Sequence, residues 1–102
     1  MSKIRITIPV ANIVDFCCRN HIRRLSLFGS VLRDDFQPGS DVDVLVEFEP
    51  GYIPGFIRLA GMELELEGLF DGRKVDLRTP EDLSRYFRDE VMHKAVVLYE
   101  KH

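Results

Sequence analysis

The stretch Ser40-Asp41-Val42-Asp43-Val44-Leu45-Val46-Glu47-Phe48 organises the reading of the whole chain. Acidic and β-branched residues alternate from Asp41 to Phe48, the period-two signature of a strand. Asp41 and Asp43 then project from one face, with Cα atoms at most about 7 Å apart. Such a pair has no structural benefit, because Asp disfavours strands and like charges repel. The repulsion raises a carboxylate pKa unless a cation lies between the two groups, and Mg²⁺ with hard oxygen ligands is the usual solution.

Upstream, Arg24-Leu25-Ser26-Leu27-Phe28 alternates polar and apolar residues and predicts a short strand running into Gly29. Gly29 and Ser30 open a short helix through Arg33. Gly29 lets backbone approach a phosphate, while the helix start at Ser30 offers free N–H groups and a hydroxyl donor. The segment from Asp35 to Ser40 is rich in turn formers and reads as a loop. Before the first strand, Pro9 suits a first helical turn, and Ile13, Phe16 and Cys17 recur at helical spacing. A helix is expected over about 9–21.

Downstream, Phe56, Leu59, Ala60, Glu63 and Leu66 predict a helix ending before Gly72. Phe56, Leu59, Met62 and Leu66 are expected in the core, and Glu63, Glu65 and Glu67 on the solvated side. Lys74-Val75-Asp76-Leu77-Arg78 reads as a third strand, on which Asp76 joins Asp41 and Asp43 if the two strands are neighbours. Three aspartates around one or two divalent cations form a clamp suited to phosphoryl or nucleotidyl transfer. Pro80 starts another helical stretch, with Leu83, Tyr86 and Phe87 sharing a face, and Ala95 to Tyr99 reads as a short strand, the alternative being the end of that helical stretch. The fold class is α/β (α+β): a small sheet with helices packed on it, in one domain over 1–102.

Composition narrows the function. A net charge of -3 and a pI near 5.6 disfavour nucleic acid as a partner, because phosphate-backbone binding needs a basic surface. Adjacent Cys17 and Cys18 have neither disulfide geometry nor metal-ligand spacing. Nowhere do about 18 apolar residues follow one another, and the N-terminus lacks a signal-peptide pattern, so no membrane association and a cytoplasmic location are expected. A chain of 102 residues leaves room for a homo- or hetero-oligomer, since a covering partner adds stability to a small core.

Phe28-Gly29-Ser30, then ten residues, then Asp41-Val42-Asp43, then Asp76, resembles the polymerase-β-type nucleotidyltransferase superfamily, and within it the minimal nucleotidyltransferases. The resemblance implies a small mixed sheet flanked by helices, metal held by Asp41, Asp43 and Asp76 as the catalytic set, and triphosphate held by Gly29 and Ser30. It also implies Mg²⁺ as cofactor, ATP as substrate and transfer of AMP to a protein. In many members of the group the enzyme is an antitoxin that modifies a tyrosine of a HEPN-domain toxin. Where many members have Ala-Arg-Gly, this chain has Leu32-Arg33-Asp34, a departure that bears on nucleotide preference and acceptor. The alternative is a non-catalytic binding module that neutralises its partner by occlusion.

Overall fold

The computed structural model describes residues 6–32 and 39–101, apart from the side chain of Ser30. Their order is α1 (Val10–Arg19), β1 (Ile22–Phe28), a 3-10 turn (Gly29–Leu32), β2 (Val42–Phe48), α2 (Phe56–Leu69), β3 (Val75–Arg78), a 3-10 turn (Pro80–Asp82), α3 (Arg88–Lys94) and β4 (Val96–Glu100). The strands form one mixed sheet in the order β3-β2-β1-β4. β1 is antiparallel to both β2 and β4, whereas β2 and β3 are parallel and α2 makes the crossover between them.

Strand periodicity divides β2 between two faces. Val42, Val44 and Val46 are fully buried against Ile13 and Phe16 of α1, Leu25 and Leu27 of β1, and Met62 and Leu66 of α2. Asp43, Leu45 and Glu47 take the other face. α1 buries Ile13, Phe16 and Cys17 as its spacing requires. It stops at Asn20, whose side-chain amide and backbone N–H both donate to the Phe16 carbonyl, at 2.8 and 3.2 Å. His21 follows in the left-handed region at φ 56° and turns the chain into β1. β1 begins two residues earlier than its alternation predicts, because Ile22 is buried and pairs with Phe48.

Several expectations need correction. The helix predicted from Ser30 is a single 3-10 turn, long enough to seat the buried Val31; Arg33 and most of the Asp35–Ser40 loop lie outside the described residues. Phe56 is not core: it is 92% exposed at the first turn of α2, while Met62 and Leu66 are buried and Leu59 packs partly. The stretch after Pro80 is not one helix, because the Asp82 carboxylate accepts from the Thr79 N–H (3.1 Å) and hydroxyl (3.2 Å) and closes a local turn. α3 starts only at Arg88, leaving Tyr86 and Phe87 exposed rather than on a common buried face. Finally, the glutamates of α2 are engaged, as described below. Ala95 to Tyr99 does supply a strand, and no helix among the described residues is long and apolar enough to cross a membrane.

Candidate active site

Parallel pairing of β2 with β3 puts Asp43 in register with Asp76. Their backbones are therefore about 4.8 Å apart, the ordinary spacing of neighbouring strands. Both lie on the face away from the main core, since Val42 and Val44 on β2, and Val75 and Leu77 on β3, point into it. Asp43 is half-buried and the Asp76 side chain is 39% exposed. Asp41 stands just ahead of the strand rather than on it, because the first ladder bond is Val42 N–H to the Lys74 carbonyl at 2.8 Å. It is exposed at the mouth of the pair.

Gly29 closes the site from β1. Phe28 pairs with Asp43, so the next residue turns directly over the Asp43 carboxylate. Gly29 has φ 72°, and a β-carbon added there would overlap Asp43 Oδ2 and lie 3.2 Å from Cγ. Glycine is required twice over: by the left-handed backbone and by the carboxylate. Ser30 is the second residue of the Gly29–Leu32 turn; its side chain lies outside the described residues.

Arg78, two residues beyond Asp76 on the same face, grips its carboxylate with a two-pronged fork, Nε to Oδ1 at 3.1 Å and Nη2 to Oδ2 at 3.2 Å. The hydrogen bond and charge of Asp76, with smaller contributions from Asp82 and Asp43, raise the Arg78 pKa above its ordinary value. As the side chains lie, no group of three or more His, Cys, Asp or Glu among the described residues converges to hold a metal ion. The donor chemistry of the Asp43–Asp76 pair nevertheless fits a divalent cation. Both offer hard carboxylate oxygens, one already accepts a cationic fork, and the neighbouring residue lacks a side chain that would fill the space.

Two residues that sequence reasoning placed in solvent hold this geometry. Glu63 of α2 accepts a hydrogen bond from the Leu77 N–H at 2.9 Å, and Glu67 accepts from the Val75 N–H at 3.5 Å. These N–H groups flank Asp76 on an edge strand, so α2 satisfies that edge and fixes the strand that carries the carboxylate. Glu63 and Glu67 are four apart and share a helix face, the only sequence signal of the arrangement. Glu65, by contrast, pairs with Arg19 of α1.

The Nucleotidyltransferase domain family matches residues 10–99. A Methanocaldococcus jannaschii protein named "Putative protein adenylyltransferase MJ0435" is 31% identical over 84 residues, covering 82% of this chain and 87% of the relative. Protein adenylyltransferase MntA of Thermococcus cleftensis is 35% identical over 75 residues, covering 74% and 73%. Among solved structures, one described as a "putative minimal nucleotidyltransferase" superposes with TM-score 0.70 at 33% identity, over 85% of this chain and 86% of that one. A toxin-antitoxin structure with AMP-PNP superposes with TM-score 0.72 over 93% and 76%; at 20% identity that likeness is one of fold alone.

Proposed function

The chain belongs to the nucleotidyltransferase domain family, and from that premise we propose that it transfers AMP from ATP to a protein, a tyrosine of a HEPN-domain toxin, and so acts as the antitoxin of a cytoplasmic pair. The observation that carries this reading is the in-register Asp43–Asp76 pair beneath Gly29. The names of the two relatives support a protein acceptor and adenylyl transfer. The AMP-PNP-bound and toxin-containing neighbours share the fold.

In this reading Asp43 and Asp76, joined by Asp41 at the mouth, would hold Mg²⁺, which would supply charge to neutralise the phosphates. Gly29 admits the triphosphate to the backbone, and Ser30 contributes from the turn that follows. The acceptor oxygen bonds to the α-phosphorus as the bond to the β-phosphate oxygen breaks. Pyrophosphate leaves, and the acceptor proton passes to a carboxylate of the pair. Glu63 and Glu67 act at one remove by fixing β3.

ATP labelled at the α or the γ position, incubated with the protein, Mg²⁺ and its co-purifying partner, tests the reaction class. Nucleotidyl transfer puts the α label on the partner and the γ label in pyrophosphate. Label on the partner from γ but not α would contradict it. The exposed Ile53, Phe56 and Ile57 favour a second reading, neutralisation by occlusion without turnover. Under it, an Asp41→Asn/Asp43→Asn double variant still protects cells from the toxin.

A further inference from the structure

We propose that the cavity between the Gly29 turn and α3 receives the phosphate tail of the nucleoside triphosphate, with Lys94 as its cationic contact. The proposal rests on the nucleotidyl-transfer reading above and adds a residue that no motif of the family resemblance includes. The cavity has a volume of about 650 Å³, within the ~300–1,000 Å³ range of small-molecule sites. Phe28 and Gly29 form one wall, and Glu90, Val91, His93 and Lys94 of α3 form the other.

Its position follows from the sheet. Phe28 is the register partner of Asp43, so the cavity opens at the carboxylate end of β1 and β2. α3 ends at Lys94, and β4 starts at Val96 opposite Leu27, which fixes the last turn of the helix beside Gly29. A triphosphate with its α-phosphate at Asp43 thus has Gly29 beneath it and Lys94 across from it. The carboxylates serve one end of the polyanion, and its remaining charge needs a cation on the far wall.

Lys94 is available for that role. Its Nζ lies 2.9 Å from Glu90 Oε1, one helical turn back, with the two side chains 70% and 65% exposed. A solvent-exposed pair of this kind contributes little and is readily exchanged for a phosphate carrying more charge.

The test is equilibrium binding of α,β-methylene-ATP with Mg²⁺, and separately of adenosine, to the intact protein and its variants. Lys94→Gln should bind the triphosphate on the order of tenfold more weakly, as expected for loss of one charged hydrogen bond. Adenosine binding should not change, and Lys94→Arg should restore most of the triphosphate affinity. Lys101→Gln should match wild type, because Lys101 pairs with Glu49 and its backbone N–H bonds to Arg23, away from Gly29. Unaltered triphosphate affinity in Lys94→Gln, or an equal loss for adenosine, overturns the role of Lys94 and leaves the nucleotidyl-transfer reading standing. Absence of triphosphate binding by the wild type overturns both.

Discussion

Gly29 lies so close to Asp43 that the β-carbon of any other residue there would overlap the carboxylate. The contact joins the turn after β1 to the strand that bears the acid. Gly29→Ala should cost about 1–3 kcal/mol from the left-handed backbone alone. It should also displace the carboxylate and lower transfer on the order of a hundredfold, the usual consequence of misplacing a reacting group by an ångström. Urea unfolding and label transfer measured on the same preparation check the two effects.

Glu63→Ala leaves the Leu77 N–H on an edge strand without its carboxylate partner. The expected loss is about 1.5–3 kcal/mol, the range for a hydrogen bond to a charged group. Transfer should weaken as well, because Asp76 stands next to the freed N–H. Glu65→Ala, which breaks an exposed pair with Arg19, should cost no more than about 1 kcal/mol. Chemical denaturation of the two variants side by side separates an edge-strand anchor from a surface ion pair.

Cys17 is fully buried, and desolvation, followed by the charge of Cys18, pushes its thiol up to about 12. A raised pKa means that the unfolded chain releases this proton first. The stabilising effect is fully present below the unfolded value of about 8.5–9 and is lost as pH rises toward 12, at up to about 1.4 kcal/mol per pH unit. Stability of the wild type should therefore fall more steeply above pH 9 than that of Cys17→Val, measured as the difference between their denaturation midpoints from pH 8 to 11.

Phe56 and Ile57 are 92% and 91% exposed, so Phe56→Ser and Ile57→Ser should each change stability by no more than about 0.5 kcal/mol. Leu66→Ala, one face away on the same helix and fully buried, should cost about 2–5 kcal/mol. Unfolding midpoints of the three variants decide whether the apolar start of α2 belongs to the core.

Much of this architecture is legible in the residues. Valines alternating with acids gave β2, Asp76 between Val75 and Leu77 gave β3, and their adjacency needed only the assumption that the two strands pair. What stayed hidden depended on tertiary partners. Glutamates on a helix look solvated whether they face water or an edge strand, and only the fold shows that Glu63 and Glu67 reach β3. Phe56 continues an apolar spacing that the helix does not use, because α2 rests on the sheet through Met62 and Leu66. The spacing of Leu83, Tyr86 and Phe87 after Pro80 suits a helix, but a local Thr79–Asp82 turn satisfies the backbone that a helix would use. Alternation extends the strand to Asp41 because it does not reveal where the ladder begins, which is at Val42.

On the proposed reading, nucleotidyl transfer requires the Asp43 carboxylate, seated between Gly29 and its register partner Asp76. Asp43→Asn is nearly isosteric and keeps the contact with Gly29, so circular dichroism and thermal unfolding should match wild type. Transfer of label from α-labelled ATP to the partner in Mg²⁺ should fall by at least on the order of a hundredfold, as expected when a charge that organises the transferring phosphoryl group is removed. Wild-type rates of labelling by a folded Asp43→Asn protein would show that the carboxylate is not needed for transfer.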